Sequence, residues 1–450
     1  MTASIVDSVQ QLQTGTMTAV DLVERCLNRI ARRNSSLNAF ITVASREARR
    51  AAEHADYIHA AGERLGALHG IPVSIKDIVD VKGLSTTAAS RVPNGGPSSA
   101  DARVVAQLRR AGAIVIGKCN LHEFAYGTTG EDSAYGATRN PHAPTHMAGG
   151  SSSGSAVSVA TGMALASVGT DTGGSIRIPS AACGVVGLKP TYGELSCAGI
   201  LPLADTLDHV GPIGLTVDDV ALVYEAMRDN GDPSTPNTGK EPSSPEDVRI
   251  GLPSEYFLDE LDEEVRSLFE AAVERVRSAG GIVEKVRIPH ASATHITYLH
   301  TQLWEAASVH AGTLQTHAED YTPGVRQRLE AARSVRKDDY AQAQETRAIL
   351  RREVDAALDR QEGLILPTLP IPAPRLGTRE VVIDSSPRDL RTTMLRLTQL
   401  FNLTGHPAIS IPCGSTSAGL PCGIQLVGHW GRTRQLLGLA SSVEDAIRTP

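Results

Sequence analysis

Aromatic side chains are scarce in this chain of 450 residues, where Phe, Trp and Tyr together make up only 4%. A core of this size must therefore be built mainly from Ala, Val, Leu and Ile. No run approaches the ~18 consecutive apolar residues of a membrane-spanning helix, so we expect no membrane anchor. Residues 1–8 contain neither a basic nor an apolar segment, so we expect no secretory leader.

Neither charge sign dominates, since 43 Lys and Arg residues stand against 50 Asp and Glu residues. This balance argues against nucleic acid as a partner, because surfaces that bind nucleic acid are usually basic. The six cysteines form no C-x-x-C pair. Together with the missing leader, this predicts reduced thiols and a cytoplasmic protein.

Apolar periodicity predicts helices and strands in alternation, which indicates an α/β fold with a sheet covered by helices. A capping residue at Thr18 predicts a helix start, and Ile71–Ile75 is typical of a strand. Further on, we expect mostly helix over residues 298–351, broken at 322–324, and one helix over residues 390–402. Residues 230–247 are rich in Pro, Ser, Gly and Asn and predict a surface linker.

Two Gly/Ser clusters, residues 147–155 and 169–179, are the most informative stretch of the sequence. Glycine allows the backbone to approach a ligand closely, and the serine hydroxyls can donate, accept or attack. The second cluster follows a predicted strand and opens a predicted helix. Unpaired N–H groups at such a position can bind an anion or a developing oxyanion. We therefore expect the functional site here.

Other interpretations of these motifs fit less well. Gly150–Gly154 matches G-x-S-x-G with Ser152 at its centre, but that nucleophile elbow requires a preceding strand, and a Pro-rich loop precedes it here. No Walker lysine or dinucleotide glycine pattern supports phosphate binding. Ser334 and Lys337 match S-x-x-K in a charged helix without companion motifs.

A metal site is a further alternative for this region. His142 and His146 have a spacing that could suit ligands, but Pro141 and Pro144 argue against a helix there. No carboxylate or thiol joins them convincingly, so we predict no metal.

Lys76 ends an apolar strand. Most lysines reach solvent, but one buried beside serines has a lowered pKa and can act as a base. No His/Asp pair has comparable context.

Eight ordered segments carry a resemblance to a known family, with the weakest agreement over residues 230–390. The sequence resembles the amidase signature family, serine hydrolases that act on amide C–N bonds. The segments that match are residues 70–77, 117–125, 149–156, 169–179, 183–190, 207–212, 401–408 and 419–427.

The resemblance implies one amidase domain over residues 1–450. Its fold is an α/β/α sandwich around a large mixed sheet of about eleven strands, a size that open sheets reach in large α/β enzymes. The signature core would span about residues 65–215, and the variable substrate-pocket region about residues 230–400.

The resemblance also implies a Ser–Ser–Lys triad. Ser175 is then the nucleophile, Ser151 the bridging serine with a cis peptide bond, and Lys76 the base. Ser151 and Ser175 are 24 positions apart, which matches the family spacing. In this register Ser152 is not the nucleophile.

Further site residues follow from the same resemblance. Backbone N–H groups of the second cluster would hold the oxyanion, a pair of charged residues would support that loop, and a separate loop would contribute to the pocket. The arginine of the pair could instead meet a substrate carboxylate. These residues are Thr172, Gly173 and Gly174 for the oxyanion, Asp171 and Arg177 for the pair, and Ala125 and Tyr126 for the pocket.

The function implied is hydrolysis of small amides, such as aryl or alkyl acylamides, or of carbamates as in urethanases. Neither a metal nor an organic cofactor is needed, and family habit suggests a homodimer. The alternative is the glutaminase subunit of a tRNA-dependent amidotransferase. That subunit generally has glutamine at position 178 and an acidic residue at position 122. Ile178 and His122 therefore favour a stand-alone enzyme.

Overall fold

A computed structural model describes residues 4–63, 66–229 and 248–448 of the chain. The predicted linker over residues 230–247 lies outside the described residues. The strands of the described part are β1 (Phe40–Val43), β2 (Pro72–Lys76), β3 (Ile114–Cys119), β4 (Ala166–Asp171), β5 (Val186–Lys189), β6 (His209–Gly214), β7 (Arg249–Pro253), β8 (Ile282–Val286), β9 (Gly363–Pro367), β10 (Glu380–Ile383), β11 (Ser386–Asp389), β12 (Ala408–Ser415) and β13 (Pro421–Val427).

Helices cover both faces of the sheet, and the apolar residues between the layers form the core. The α-helices of the described part are α1 (Ile5–Gln13), α2 (Ala19–Leu37), α3 (Ser45–Ala60), α4 (Arg103–Arg110), α5 (Ser153–Ala160), α6 (Arg177–Cys183), α7 (Val217–Met227), α8 (Glu263–Ser278), α9 (Thr294–Thr316), α10 (Pro323–Ala332), α11 (Lys337–Leu358), α12 (Leu390–Leu395), α13 (Leu400–Leu403) and α14 (Thr433–Arg448). None of these described helices is long and apolar enough to cross a membrane.

One mixed sheet of eleven strands runs through the molecule in the order β1-β3-β2-β4-β6-β5-β12-β13-β9-β7-β8. The expected α/β fold around a large mixed sheet is therefore confirmed. β2 and β4 are parallel neighbours, with Ile75 paired to Val168. Their carboxyl ends therefore lie at the same edge of the sheet, which brings Lys76 and Asp171 into one region.

The two Gly/Ser clusters lead into helices that are buried along nearly their whole length. α5 consists of Ser, Gly, Ala and Val, and these small residues allow close packing. A side chain at Gly154 would place its Cβ 2.2 Å from the carbonyl oxygen of Ala39. α6 packs against β5, β12 and β13, three consecutive strands of the sheet.

The predicted start of the second helix is confirmed in detail. The Thr18 side chain accepts a hydrogen bond from the Asp21 N–H, and Asp21 accepts one from the Thr18 N–H, which completes a capping box.

Two helix predictions in the second half of the chain are wrong in part. Residues 390–402 form two short helices joined by a turn, in which the Thr398 N–H donates to the Leu395 carbonyl oxygen and the Thr398 hydroxyl donates to the Gly173 carbonyl oxygen at 2.6 Å. Pro323 begins α10 and does not break a helix, since proline is tolerated in the first turn. The breaks lie on either side of α10.

Candidate active site

Lys76, the last residue of β2, is fully buried at the edge where β2 and β4 end. Its Nζ lies 2.7 Å from Ser151 Oγ and 2.8 Å from Thr170 Oγ1. Burial lowers the pKa of Lys76 to about 7, although the carboxylates of Asp171 and Asp208 act in the opposite direction. At neutral pH, the Lys76 amine is therefore neutral in a large share of the protein molecules.

Ser151 lies where the first Gly/Ser cluster meets the second. The peptide bond between Gly150 and Ser151 is cis. The carbonyl oxygen of Ser151 accepts a hydrogen bond from the His122 N–H at 3.1 Å, and the Ser152 N–H donates to the Ser175 carbonyl oxygen at 3.1 Å. These bonds hold Ser151 between Lys76 and the Ser175 backbone.

Ser152 faces a different way from its neighbour. Its buried hydroxyl donates to the Thr170 carbonyl oxygen at 3.1 Å and accepts from the Thr170 N–H at 3.3 Å. In the described chain no strand directly precedes Ser152. The structural condition for a nucleophile elbow is therefore not met.

The second cluster forms a loop from β4 into α6. Within the described part of the chain, the backbone N–H groups of Thr172, Gly173, Gly174 and Ser175 donate to no acceptor. Ser175 is the most accessible of the three predicted triad residues, although only 6% exposed. The loop therefore has N–H groups without an acceptor next to the Ser175 hydroxyl, and their role in binding an oxyanion stays a prediction.

Asp171 and Arg177 form a fully buried ion pair behind this loop, with Arg177 Nη2 2.9 Å from Asp171 Oδ1. Nearby charges hold the pKa of Asp171 well below its usual range, chiefly the Arg177 guanidinium, against the opposing effect of burial. The guanidinium also donates to the Thr398 carbonyl oxygen, Gln425 Oε1 and Asn402 Oδ1. Arg177 is thus enclosed by protein acceptors, an arrangement that suits loop support better than contact with a substrate carboxylate.

A cavity of about 320 Å³ is lined by Thr172 of the loop and by Thr170, whose hydroxyl accepts a hydrogen bond from Lys76. Asp208 lines it and accepts hydrogen bonds from the Thr172 hydroxyl at 2.5 Å and the Leu203 N–H at 2.8 Å. Burial raises the pKa of Asp208 to about 6. Other lining residues include Ile78, Ala125, Thr170, Thr172 and Leu201.

Ala125 ends a tight turn in which Phe124 and Ala125 have positive φ angles of 50° and 58°, and Tyr126 follows it. Glu123 anchors this turn by accepting from the Ser90 hydroxyl at 2.6 Å and the Thr322 N–H at 2.7 Å. The turn places Ala125 in the cavity wall and buries the Tyr126 ring. Of the two predicted pocket residues, Ala125 therefore lines this cavity and Tyr126 does not.

The histidines considered as metal ligands make separate contacts. His142 Nε2 is 3.0 Å from the Cys183 carbonyl oxygen, and His146 Nδ1 is 3.1 Å from Thr145 Oγ1. No group of three or more His, Cys, Asp or Glu side chains in the described residues could hold a metal ion.

A second buried lysine, which does not stand out in the sequence, lies near Lys76. Lys118 of β3 pairs with Asp77, the residue after Lys76, at 2.9 Å, and both side chains are buried. Burial raises the pKa of Asp77, and Lys118 opposes this effect. Lys118 lies within a matched family segment, but nothing in the sequence showed that it would be paired while Lys76 would meet only hydroxyls.

Comparisons with known proteins agree with this site and fold. A sequence model of the family described as Amidase matches residues 21–437. The A subunit of glutamyl-tRNA(Gln) amidotransferase from Symbiobacterium thermophilum is 36% identical, and the alignment covers 95% of this chain and 93% of that protein.

Solved structures give the same result. A crystal structure described as an amidase superposes with a TM-score of 0.92 at 36% identity, covering 98% of this chain and 99% of the other. The peptide amidase of Stenotrophomonas maltophilia superposes with a TM-score of 0.84 at 29% identity, covering 99% and 97%.

The fold and these similarities define an enzyme that hydrolyses carbon–nitrogen bonds. The chain belongs to the amidase signature family.

Proposed function

We propose that this protein is a stand-alone serine hydrolase that cleaves the C–N bond of small amides through an acyl-enzyme on Ser175. The observation that supports this most directly is the buried Lys76 amine, 2.7 Å from Ser151 Oγ and with its pKa lowered to about 7. Such an amine can accept a proton at neutral pH, which an exposed lysine does poorly.

In the acylation step, the Ser175 oxygen attacks the amide carbon while its proton passes to Ser151. Ser151 in turn gives its own proton to neutral Lys76. The carbonyl π electrons move to the oxygen, and the free N–H groups of Thr172, Gly173 and Gly174 stabilise the negative charge.

When the intermediate collapses, the C–N bond breaks and the amine leaves. Protonated Lys76 returns a proton through Ser151 to the leaving nitrogen, so the amine departs neutral. Water then attacks the ester carbon of the acyl-enzyme, and the same relay removes its proton and restores the Ser175 hydroxyl. The carboxylic acid is released, and every proton is accounted for.

The leaving amine would occupy the cavity of about 320 Å³ that Thr170 and Thr172 border. Thr170, which lines this cavity, accepts a hydrogen bond from Lys76 Nζ at 2.8 Å, so the cavity is one residue away from the proposed base. Its volume is at the small end for ligand pockets and suits an aryl or alkyl amine. An aryl carbamate has the same acyl chemistry and is a second substrate class within this proposal.

The second candidate is the glutaminase subunit of an amidotransferase, which the names of the curated relatives support. His122 is the feature of the site that argues against it, because the acidic residue general in that subunit is absent. His122 Nε2 instead contacts Arg328 Nη2 at 3.0 Å and Asp132 Oδ2 at 3.1 Å.

A hydrolysis screen on the purified chain separates the two candidates. The substrates are a 4-nitroanilide, an aryl carbamate, an aliphatic amide and glutamine, each with Ser175→Ala as the control. Turnover of an anilide or carbamate that disappears in the variant supports the stand-alone amidase. Turnover of glutamine alone, or only after partner proteins of the complex are added, supports the second candidate, and turnover that persists in Ser175→Ala contradicts the assigned nucleophile.

A further inference from the structure

Two arginines lie over the ring of Tyr126, one from α10 and one from α12. The guanidinium carbon of Arg328 is 5.5 Å from the ring centroid, and that of Arg391 is 5.7 Å away. Tyr126 is almost fully buried, since its relative exposure is 1%. Its hydroxyl has no hydrogen-bond partner among the described residues.

The two arginines differ in how their charge is compensated. Arg328 pairs with Asp132 at 3.2 Å. Arg391 donates to the neutral Gln302 Oε1 at 2.8 Å, and within the described chain it has no carboxylate at ion-pair distance. Its Nε is buried and also lacks a partner in that part of the chain. A partly buried cation without a counter-charge is costly unless a ligand supplies one.

Two hydrogen bonds connect Arg391 to Tyr298, a residue that lies against the loop expected to bind the oxyanion. Gln302, which accepts from Arg391, donates through Nε2 to Tyr298 Oη at 2.5 Å. That hydroxyl lies against Gly173, where a Cβ would come within 2.2 Å of it. The cluster therefore borders the site from α9 and α12. None of Arg391, Gln302 and Tyr298 lines the cavity assigned to the leaving amine. The two regions meet at the turn that contains Ala125.

We propose that Arg391 binds a carboxylate on the acyl portion of the substrate, with the Tyr126 hydroxyl as a second donor. The substrate class is then a monoamide of a short dicarboxylic acid or a related acyl group that ends in an anion. A carboxylate offers two acceptor oxygens, which match the unpartnered Arg391 Nε–H and Tyr126 O–H. This inference rests on the proposed amidase function.

The test compares matched acyl groups with a common leaving group. Succinic and glutaric mono-4-nitroanilides carry the carboxylate, whereas 4-methylpentanoic and 5-methylhexanoic 4-nitroanilides replace it with an isopropyl group of similar shape. We expect the wild type to prefer one of the anionic substrates. We expect Arg391→Gln to lower kcat/KM for that substrate by about 100-fold and for the neutral one by less than about 3-fold, because charge-assisted hydrogen bonds contribute strongly to binding.

Two further variants serve as controls for the effect of Arg391→Gln. Arg388→Gln removes the same charge from an exposed residue that pairs with Glu260, so both substrates should keep their rates. Tyr126→Phe removes only the hydroxyl and should cost the anionic substrate about 10-fold. This milder change keeps the test informative if Arg391→Gln does not fold. Equal losses on both substrates, or no anionic preference in the wild type, would overturn the proposal.

A binding measurement separates failure of this inference from failure of the proposed function. Succinic and glutaric mono-4-nitroanilides are titrated calorimetrically into Ser175→Ala and into Ser175→Ala combined with Arg391→Gln. A Kd at least about 10-fold weaker in the double variant supports the carboxylate site even if no amide is turned over. Unchanged binding overturns it even if amides are hydrolysed.

Discussion

Ser151 and Ser152 are neighbours in sequence whose hydroxyls serve different parts of the molecule. The Ser151 hydroxyl meets the Lys76 amine, whereas the Ser152 hydroxyl bonds to the backbone of Thr170. We therefore expect Ser151→Ala to lower kcat by about 1,000-fold or more, as loss of a proton relay does. Ser152→Ala should keep most of the activity and lose about 1 kcal/mol of stability with its buried hydrogen bonds.

Steady-state kinetics and urea unfolding of the two variants check this prediction. The opposite ranking, with Ser152→Ala inactive and Ser151→Ala active, would return G-x-S-x-G to consideration. Circular dichroism of both variants serves as the control for folding.

A pH dependence follows from the lowered pKa of Lys76. Below about 7 the amine is protonated and cannot act as a base, so kcat/KM should fall about tenfold per pH unit and level off above that pH. The groups that face Lys76 are the hydroxyls of Ser151 and Thr170 and, further away, the carboxylates of Asp171 and Asp208.

The Asp208→Asn variant assigns this pH break. Asp208 raises the pKa of Lys76, so its removal should move the break to lower pH if Lys76 is the titrating group. Loss of the break in Asp208→Asn would instead assign it to Asp208, whose pKa is about 6. Rates from pH 5 to 9 on one anilide give the answer.

At the residue scale, the ordered motifs were enough to name candidate site residues, and the roles of these residues remain predictions. Lys76 contacts Ser151, and the N–H of the next residue, Ser152, bonds the Ser175 carbonyl oxygen of the 172–175 loop. Arg391 could not be anticipated, because its importance depends on the missing carboxylate partner and on contacts with Tyr126 from a distant turn. Local sequence patterns do not show which charged residues will lie close together when they are far apart in the chain.

At the scale of elements, helices and strands with strong periodicity were predictable, whereas two short or irregular strands near the middle of the sheet were not. β6 contains Gly211 and Pro212, and β5 is only four residues long, so neither shows a clear strand pattern. No strand is expected from the sequence where the β10–β11 hairpin lies, and Asp384 and Ser385 make its turn with φ angles of 49° and 61°.

The break between α12 and α13 has a consequence that can be measured. Thr398 donates its hydroxyl to the Gly173 carbonyl oxygen, and its own carbonyl oxygen accepts from Arg177. Thr398→Val removes the first bond while keeping the side-chain shape. We expect a loss of about 1 kcal/mol of stability and about a tenfold lower kcat, because the loop donors would be less well positioned.

Thr393→Val provides the matched control for this experiment. Thr393 lies within α12, but its hydroxyl donates to the Asp389 carbonyl oxygen and makes no hydrogen bond with the loop. Equal effects of the two substitutions on kcat would contradict a specific role for Thr398. Activity and thermal unfolding are measured on the same preparations.

At the scale of the whole molecule, the sheet is divided by sequence into two blocks. β1 to β6 lie on one side, all from residues before 230, and β7, β8, β9, β12 and β13 lie on the other. The blocks meet where β5 pairs with β12, with Leu188 opposite Ile409. The alternation of helices and strands predicted a sheet covered by helices. It did not predict that β5 and β12 would pair, because these strands are more than 200 residues apart in the sequence.

Contacts across the junction also complete the site. Arg177, which supports the oxyanion loop, takes three of its acceptors from Thr398, Asn402 and Gln425 of the second block. Separated from that block, the guanidinium and the edge of β5 would lose these partners. We therefore propose that the chain folds as one unit, as a single amidase domain requires.

Expression of residues 1–229 and 248–450 as separate chains tests this proposal. Each fragment alone should be insoluble or lack a cooperative thermal transition, because it exposes a strand edge and leaves buried polar groups unpaired. Coexpressed, the two should copurify and regain anilide hydrolysis that depends on Ser175. The intact chain, expressed in parallel, sets the reference activity. A fragment of residues 1–229 that is monomeric, melts cooperatively and hydrolyses amides would show instead that the second block is dispensable for both folding and catalysis.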